Sequence, residues 1–279
     1  MTVLVTTRAE LDAATTASTP TAVVMTMGAL HEGHAELMRE ARRRLPAGGR
    51  VIVTDFVNPT QFGAGEDFDR YPRTLEADVD ICVGNGVDIV FAPAVADVYG
   101  VAGHGIVIDP GPRGGILEGA SRPGHFAGVL TVVAKLLHMT RPDIALFGEK
   151  DYQQLVLVRD MAHALDFGVE VVGVPTVREH DGLAMSSRNR YLSEAARARA
   201  AAIPRALSAG EAAGRGGADA AVAAALAVLD EAAIDADYVA ATDPELRAPP
   251  PTGPGRLLIA AVVDGTRLID NCAVLFGRP

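Results

Sequence analysis

Cysteine is nearly absent from this chain. There are two in 279 residues, Cys82 and Cys272, far apart and in no metal-binding or disulfide spacing. A disulfide scaffold is thereby excluded, and a reducing compartment is the simple reading. Long apolar runs are missing too: no stretch reaches the roughly 18 residues that a membrane-spanning helix needs. Positive charge is in deficit, with 25 Lys and Arg against 35 Asp and Glu and a formal net charge of −10. That balance argues against nucleic acid as a partner. Any anionic small ligand must then be met by positive charge concentrated locally, and Lys150, Arg122 and Arg188 are the candidates. The first residues, Met1 to Arg8, lack the charged start and apolar core of a signal peptide, and a cytoplasmic location is expected. No internal repeat occurs.

What is present is an ordinary globular composition, 49% hydrophobic and 22% charged, in a chain long enough for one large domain or two. Short apolar, β-branched runs at 21–27, 51–57, 88–91, 106–108, 144–147 and 169–174 read as strands. Helical patterns lie at about 34–45, 73–85, 126–139, 151–166 and 193–212. Apolar strands alternating with helices predict an α/β, Rossmann-like parallel sheet with helices on both faces. Ligands on such sheets bind beyond the carboxyl ends of the strands. Composition changes near residue 190. An Ala-rich stretch over 195–233 is followed by a proline-rich loop and two strands, 256–263 and 266–276, joined by the hairpin pair Asp264 and Gly265. The expected organisation is a nucleotide-binding domain over 1–188 and a smaller C-terminal α+β lid domain over 189–279, with closure of the lid over ligand.

The densest cluster of chemistry follows the first long strand: Met27, Gly28, Ala29, Leu30, His31, Glu32, Gly33 and His34, immediately before a helix. A strand, a glycine turn and a helix N-terminus form an anion site, and two histidines there add donors for phosphate oxygens. A metal pair, capping or surface histidines are the other readings. After the strand at 144–147 come Gly148, Glu149, Lys150 and Asp151. Lysine is rarely buried without a partner, so Lys150 reads as a phosphate ligand; Asp151 is either part of that site or an N-cap. Gln154 lies one helical turn further on and shares that face. Met185, Ser186, Ser187 and Arg188 put two hydroxyls and a guanidinium on one loop, suited to a triphosphate or, for the serines, to a helix cap.

The two loops, His31/His34 early and Met185–Arg188 late, resemble the paired signatures of the nucleotidylyl-transferase superfamily. Five further motifs follow in order: Phe56 to Phe62, Tyr71 to Thr74, Glu118 to Val129, Phe147 to Gln154, and Val177 with Arg178. With them the chain resembles the pantoate–β-alanine ligase family from about residue 20 to the C-terminus. The resemblance implies ATP-dependent condensation of (R)-pantoate with β-alanine through a pantoyl adenylate, giving pantothenate, AMP and pyrophosphate. It implies His34 as catalytic donor with His31 and Lys150 on the phosphates. Nucleotide contacts would come from the 27–34 loop, 148–151, Val177 through its backbone, and 185–188. Gln61 and Gln154 would hold pantoate, with Asn58, Glu118, Arg122 and His125 as a supporting shell. A homodimer is implied, and Mg²⁺ is expected with ATP through phosphates and water, with no protein ligand assignable.

Three residues depart from the family pattern: Met25, Asp55 and Thr60. Asp55 stands in an otherwise apolar strand. It is expected to be paired with a basic side chain or to lie on an exposed stretch, because an unpaired buried carboxylate is too costly. Competing functions are an adenylyl- or cytidylyltransferase that releases its nucleotide-linked product, a non-catalytic nucleotide-binding protein, and a class I aminoacyl-tRNA synthetase. The last fits the length and the acidic charge poorly. Strict dependence of AMP release on β-alanine separates them.

Overall fold

The computed structural model describes residues 1–15, 18–100, 103 and 105–277. The chain forms two compact units. One comprises Met1–Glu149 with Leu157–Pro175, and the other Lys150–Val156 with Thr176–Pro279.

Among the described residues, the first unit carries a six-stranded sheet. Its strands are β1 (Val3–Val5), β2 (Thr21–Thr26), β3 (Arg50–Asp55), β4 (Ile89–Phe91), β5 (Ile144–Gly148) and β6 (Glu170–Val174). The order is β1-β4-β3-β2-β5-β6, with every pair parallel. Helices α1 (Arg8–Ala14), α2 (Glu32–Arg44), α3 (Leu75–Gly84), α4 (Val95–Tyr99), α5 (Glu118–Ser121), α6 (His125–Thr140) and α7 (Tyr152–Ala164) intervene. The strands are near-continuous apolar runs because both faces of a parallel sheet are covered: Ala22, Val23, Val24, Val51, Ile52 and Val53 are each 0% exposed. From β2 the order runs outward to β3 and β4 on one side and to β5 and β6 on the other. The topological switch point therefore lies between β2 and β5, where ligands of such sheets bind.

The run at 106–108 is not a strand. Ile106 and Val107 are exposed, and Ile108 donates its N–H to Thr131 Oγ1 at 2.9 Å rather than to a ladder. The strand that does pair with the outer side of β4 is β1, which is too short to show a pattern in sequence. The helix expected at 193–212 is two, α8 (Glu194–Ala200) and α9 (Ala202–Ala213). Pro204 enters the first turn of α9 and cannot donate to the preceding turn.

The second unit adds α10 (Ala218–Glu231) and an antiparallel sheet of β7 (Ala236–Thr242), β8 (Gly253–Val263) and β9 (Thr266–Phe276). The β8–β9 hairpin turns at Asp264 and Gly265, both with positive φ (46° and 76°), as a two-residue I′ turn requires. Its core joins Ile203, Leu207 and Leu229 of the helices to Leu257, Ile259 and Phe276 of the sheet. Among the described residues no helix is long and apolar enough to cross a membrane.

Candidate active site

In the first unit, β2 ends at Thr26 and the chain turns through Gly28 (φ 74°) and Ala29 (φ 51°) before α2 begins. A β-carbon at position 28 would lie 2.5 Å from Asp55 Oδ1, so both backbone angle and space demand glycine. Ala29 has no such licence and is held from below: Asp78, 1% exposed on α3, accepts the N–H groups of Ala29 (2.9 Å) and Leu30 (2.7 Å).

The two histidines cap α2 in a reciprocal box. His31 Nδ1 accepts from Gly33 N–H at 3.1 Å, and His34 Nδ1 accepts from His31 N–H at 3.2 Å. Their rings lie 4.1 Å apart. An Nδ1 that accepts carries no proton, so the neutral rings hold theirs on Nε2. Capping and anion binding are thus not alternatives: one nitrogen of each ring serves the helix, and the other carries a proton to donate. The positive end of the α2 dipole lies at the same place.

Gln61 is fixed by its neighbours. Asn58, 1% exposed, donates from Nδ2 to Gln61 Oε1 (3.0 Å) and to Gly128 O (3.3 Å), and accepts on Oδ1 from Tyr99 (2.7 Å) and Thr60 Oγ1 (3.0 Å). With Gln61 Oε1 occupied as acceptor, its NH₂ is the donor end, and it donates to Met27 Sδ at 3.1 Å. Gly128 allows α6 to approach, since a β-carbon there would sit 2.2 Å from Thr60 O.

Behind Gln61, His125 Nδ1 lies 2.8 Å from Gln61 O, and its Nε2 3.0 Å from Arg122 Nη1. A carbonyl and a guanidinium fix the tautomer: Nδ1–H donates and Nε2 accepts. Burial, then the Arg122 charge, pushes the imidazole down to about 4, so it is neutral at pH 7. Arg122 in turn grips Glu66 through Nε (2.8 Å) and Nη2 (2.6 Å), and that hydrogen bonding holds the Glu66 carboxyl below the usual range. Its charge is therefore committed locally. Glu118 is buried on α5.

Asp55 is neither ion-paired nor exposed, contrary to the expectation from sequence. Its Oδ2 is buried with no partner, and its neighbour is a second carboxyl, Asp78. Burial first, then the Asp78 charge, raises the Asp55 carboxyl to about 7.

Gly148 closes β5 and Glu149 opens a 3-10 turn that ends at Asp151. Lys150, Asp151 and Gln154 belong to the second unit. Lys150 Nζ is 3.7 Å from Asp151 Oδ1, and its carbonyl accepts from Asn271 Nδ2 on β9 at 2.9 Å. Arg256 donates to Asn271 Oδ1 (2.7 Å) and stacks 3.8 Å over the Tyr152 ring. Gln154 is half-buried, one turn beyond Lys150 in α7.

Val177 and Met185 are joined by Met185 N–H donating to Val177 O at 2.9 Å, at the open end of a short hairpin closed by Gly182. Arg178 anchors that hairpin on Asp270, 2.6 and 3.1 Å away and 3% exposed. Ser186 does cap: its Oγ accepts from Arg188 N–H at 3.3 Å, opening the 3-10 turn Ser187–Tyr191. Asn189 ties the loop to Glu179 (2.7 Å) and Ala184 O (3.1 Å). Sequence reasoning missed Glu66, Asp78, Asn271 and Arg256. Asp78 and Cys82 stand four apart on one buried face of α3, which was the signal available for Asp78.

The family model described as Pantoate-beta-alanine ligase matches residues 3–273. A pantothenate synthetase of Salinispora arenicola is 57% identical, with 98% of this chain and 98% of the relative covered. The crystal structure of a Thermus thermophilus pantothenate synthetase superposes with a TM-score of 0.86 at 47% identity, covering 98% of this chain and 99% of the other. A Francisella tularensis pantoate-beta-alanine ligase, complexed with beta-gamma ATP and beta-alanine, superposes with a TM-score of 0.82 at 31% identity, covering 98% and 97%.

Proposed function

This chain belongs to the pantoate–β-alanine ligase family, and from that premise we propose how its residues carry the reaction. It is an ATP-dependent ligase that joins pantoate to β-alanine. The reaction runs in two steps. The pantoate carboxylate attacks the α-phosphorus of ATP and releases pyrophosphate. The β-alanine amine then attacks the acyl carbon of the pantoyl adenylate and releases AMP. A carboxylate is ionised at neutral pH and needs no base. What the first step needs is alignment and relief of charge growing on the phosphates.

His34 and His31 supply that relief from Nε2, and the observation that carries this role is that both Nδ1 atoms are already engaged as cap acceptors. Lys150 adds a positive charge on the phosphates, with Asp151 beside it. The turn Met27–Leu30, with Glu32 and Gly33, and residues 148–149 give backbone contacts to the nucleotide. Val177 and the loop Met185, Ser186, Ser187 and Arg188 complete them. Gln61 presents its NH₂ to pantoate, and Gln154 is the second pantoate ligand. A neutral amide orients a carboxylate without quenching its nucleophilicity. Asn58, Glu118, Arg122 and His125 hold Gln61 and its loop. Residues 1–188 bind nucleotide and pantoate, and 189–279 act as a lid. Among the described residues no group of three or more His, Cys, Asp or Glu is placed to hold a metal. Mg²⁺ accompanies ATP, held through phosphate oxygens and water. The enzyme works as a cytoplasmic homodimer. The test is AMP release from ATP and pantoate that depends strictly on β-alanine; steady turnover of ATP without β-alanine would contradict it.

A further inference from the structure

The turn at Gly28–Leu30 rests on two carboxyl groups with no cation between them. Asp78 accepts three hydrogen bonds, from Ala29 N–H, Leu30 N–H and the Thr74 hydroxyl (2.9, 2.7 and 3.0 Å). Three donors aimed at one carboxyl favour its charged form. Asp55 ends β3 opposite Thr26 in the parallel register, with its Oδ1 directly below Gly28 and its carboxyl beside that of Asp78. Two carboxyls in contact share a proton, since both cannot ionise side by side in a buried site. Asp55 is then the donor.

We infer that Asp55 is a positioning residue for nucleotide binding: its carboxylic acid, bonded to the Asp78 carboxylate, holds the Gly28–Leu30 turn in its binding shape, and loss of that proton weakens ATP binding. The inference rests on reading this turn as part of the ATP site. Two effects act together on deprotonation. The Asp55–Asp78 hydrogen bond becomes a repulsion beneath two consecutive left-handed residues, one of them Ala29, whose conformation Asp78 sustains. A second negative charge also comes to lie under a turn that receives phosphates. The groups facing Asp55 allow this titration. From α3 come Asp78 and Cys82, whose thiol burial pushes up to about 12 and which stays neutral. From β2 comes Thr26, whose hydroxyl is committed to Thr54 O at 2.8 Å. The turn contributes backbone only. With the Asp55 carboxyl near 7, the proton is lost within the working range of an enzyme.

The test is equilibrium binding of ATP, without pantoate, between pH 6 and 8.5. It compares wild type with Asp55→Asn, which keeps a donor and cannot titrate, and with Asp55→Ile should the first fold poorly. Wild-type affinity should fall about five-fold more over this range than that of either variant, the order of effect expected of one added like charge in a partly screened site. Titration of ATP and of His31 and His34 is common to all three proteins and cancels. By reciprocity, ATP binding at pH 7.5 should draw more proton into wild type than into the variants, seen as a difference in the buffer dependence of the binding heat. Superimposable pH profiles, with His34→Ala still weakening ATP, would overturn the inference. If His34→Ala leaves ATP binding unchanged, the reading of the turn as an ATP site fails, and the inference with it.

Discussion

Acid should destabilise this protein through one histidine, and the amount can be worked out. Folding holds His125 at about 4 against an ordinary value of 6.5, because it is buried and faces Arg122. Between those values the unfolded chain binds a proton that the folded chain refuses. The contribution is complete above about pH 6.5 and is lost as pH falls toward 4, reaching roughly 3 kcal/mol at full extent and about 2 kcal/mol at pH 5. The wild-type curve alone does not isolate it. Asp55, raised rather than lowered, acts in the opposite sense: the folded chain keeps its proton from the ordinary carboxylate range up to about 7, so stability falls as pH rises through that window. The informative quantity is the difference between wild type and His125→Asn. Asparagine keeps an N–H for Gln61 O and cannot titrate. Urea unfolding at several pH values should show wild type losing about 2 kcal/mol relative to His125→Asn between pH 7 and 5. Parallel curves would refute the tautomer and burial argument, and with it the neutral support proposed behind Gln61.

Other perturbations follow from the site. His34→Ala and Lys150→Ala should each slow pantoyl adenylate formation by at least about 100-fold, ~2.7 kcal/mol, in single-turnover measurements; near-wild-type rates in a folded variant would remove that residue from the mechanism. Gln61→Glu keeps an acceptor for Asn58 but replaces the donating NH₂ with negative charge. The KM for pantoate should rise by roughly 100-fold, as when a buried donor is lost to a charged ligand, while the KM for ATP changes little; equal rises in both would place Gln61 elsewhere.

The alternation of apolar strands and helices made the parallel sheet legible, because both faces of β2, β3 and β5 are buried and nearly every position in them must be apolar. It failed where pairing decides. The run at 106–108 has strand propensity, yet Ile108 donates its N–H to Thr131 and not to a ladder, and β1 pairs with β4 without a pattern long enough to read. His31 and His34 were legible by spacing, but their tautomers depend on the extended backbone of His31 and could not be read from residue order. Asp55 stood out as a charge in an apolar strand. Its neighbour did not, since Asp78 lies on the following α-helix, α3, and is a second carboxyl rather than a cation. Asn271, which holds the Lys150 carbonyl, is separated from it by 121 positions and carries no local signature.

The adenylate route is the centre of this account, and the fate of one oxygen tests it. If the pantoate carboxylate attacks the α-phosphorus, one of its oxygens leaves with AMP when β-alanine displaces the acyl group. Pantoate labelled with ¹⁸O in its carboxylate should yield AMP carrying one labelled oxygen and pyrophosphate carrying none. Label in inorganic phosphate, with ADP as the other product, would mean an acyl-phosphate route and would contradict the roles of His34, Lys150 and Arg188 on the triphosphate.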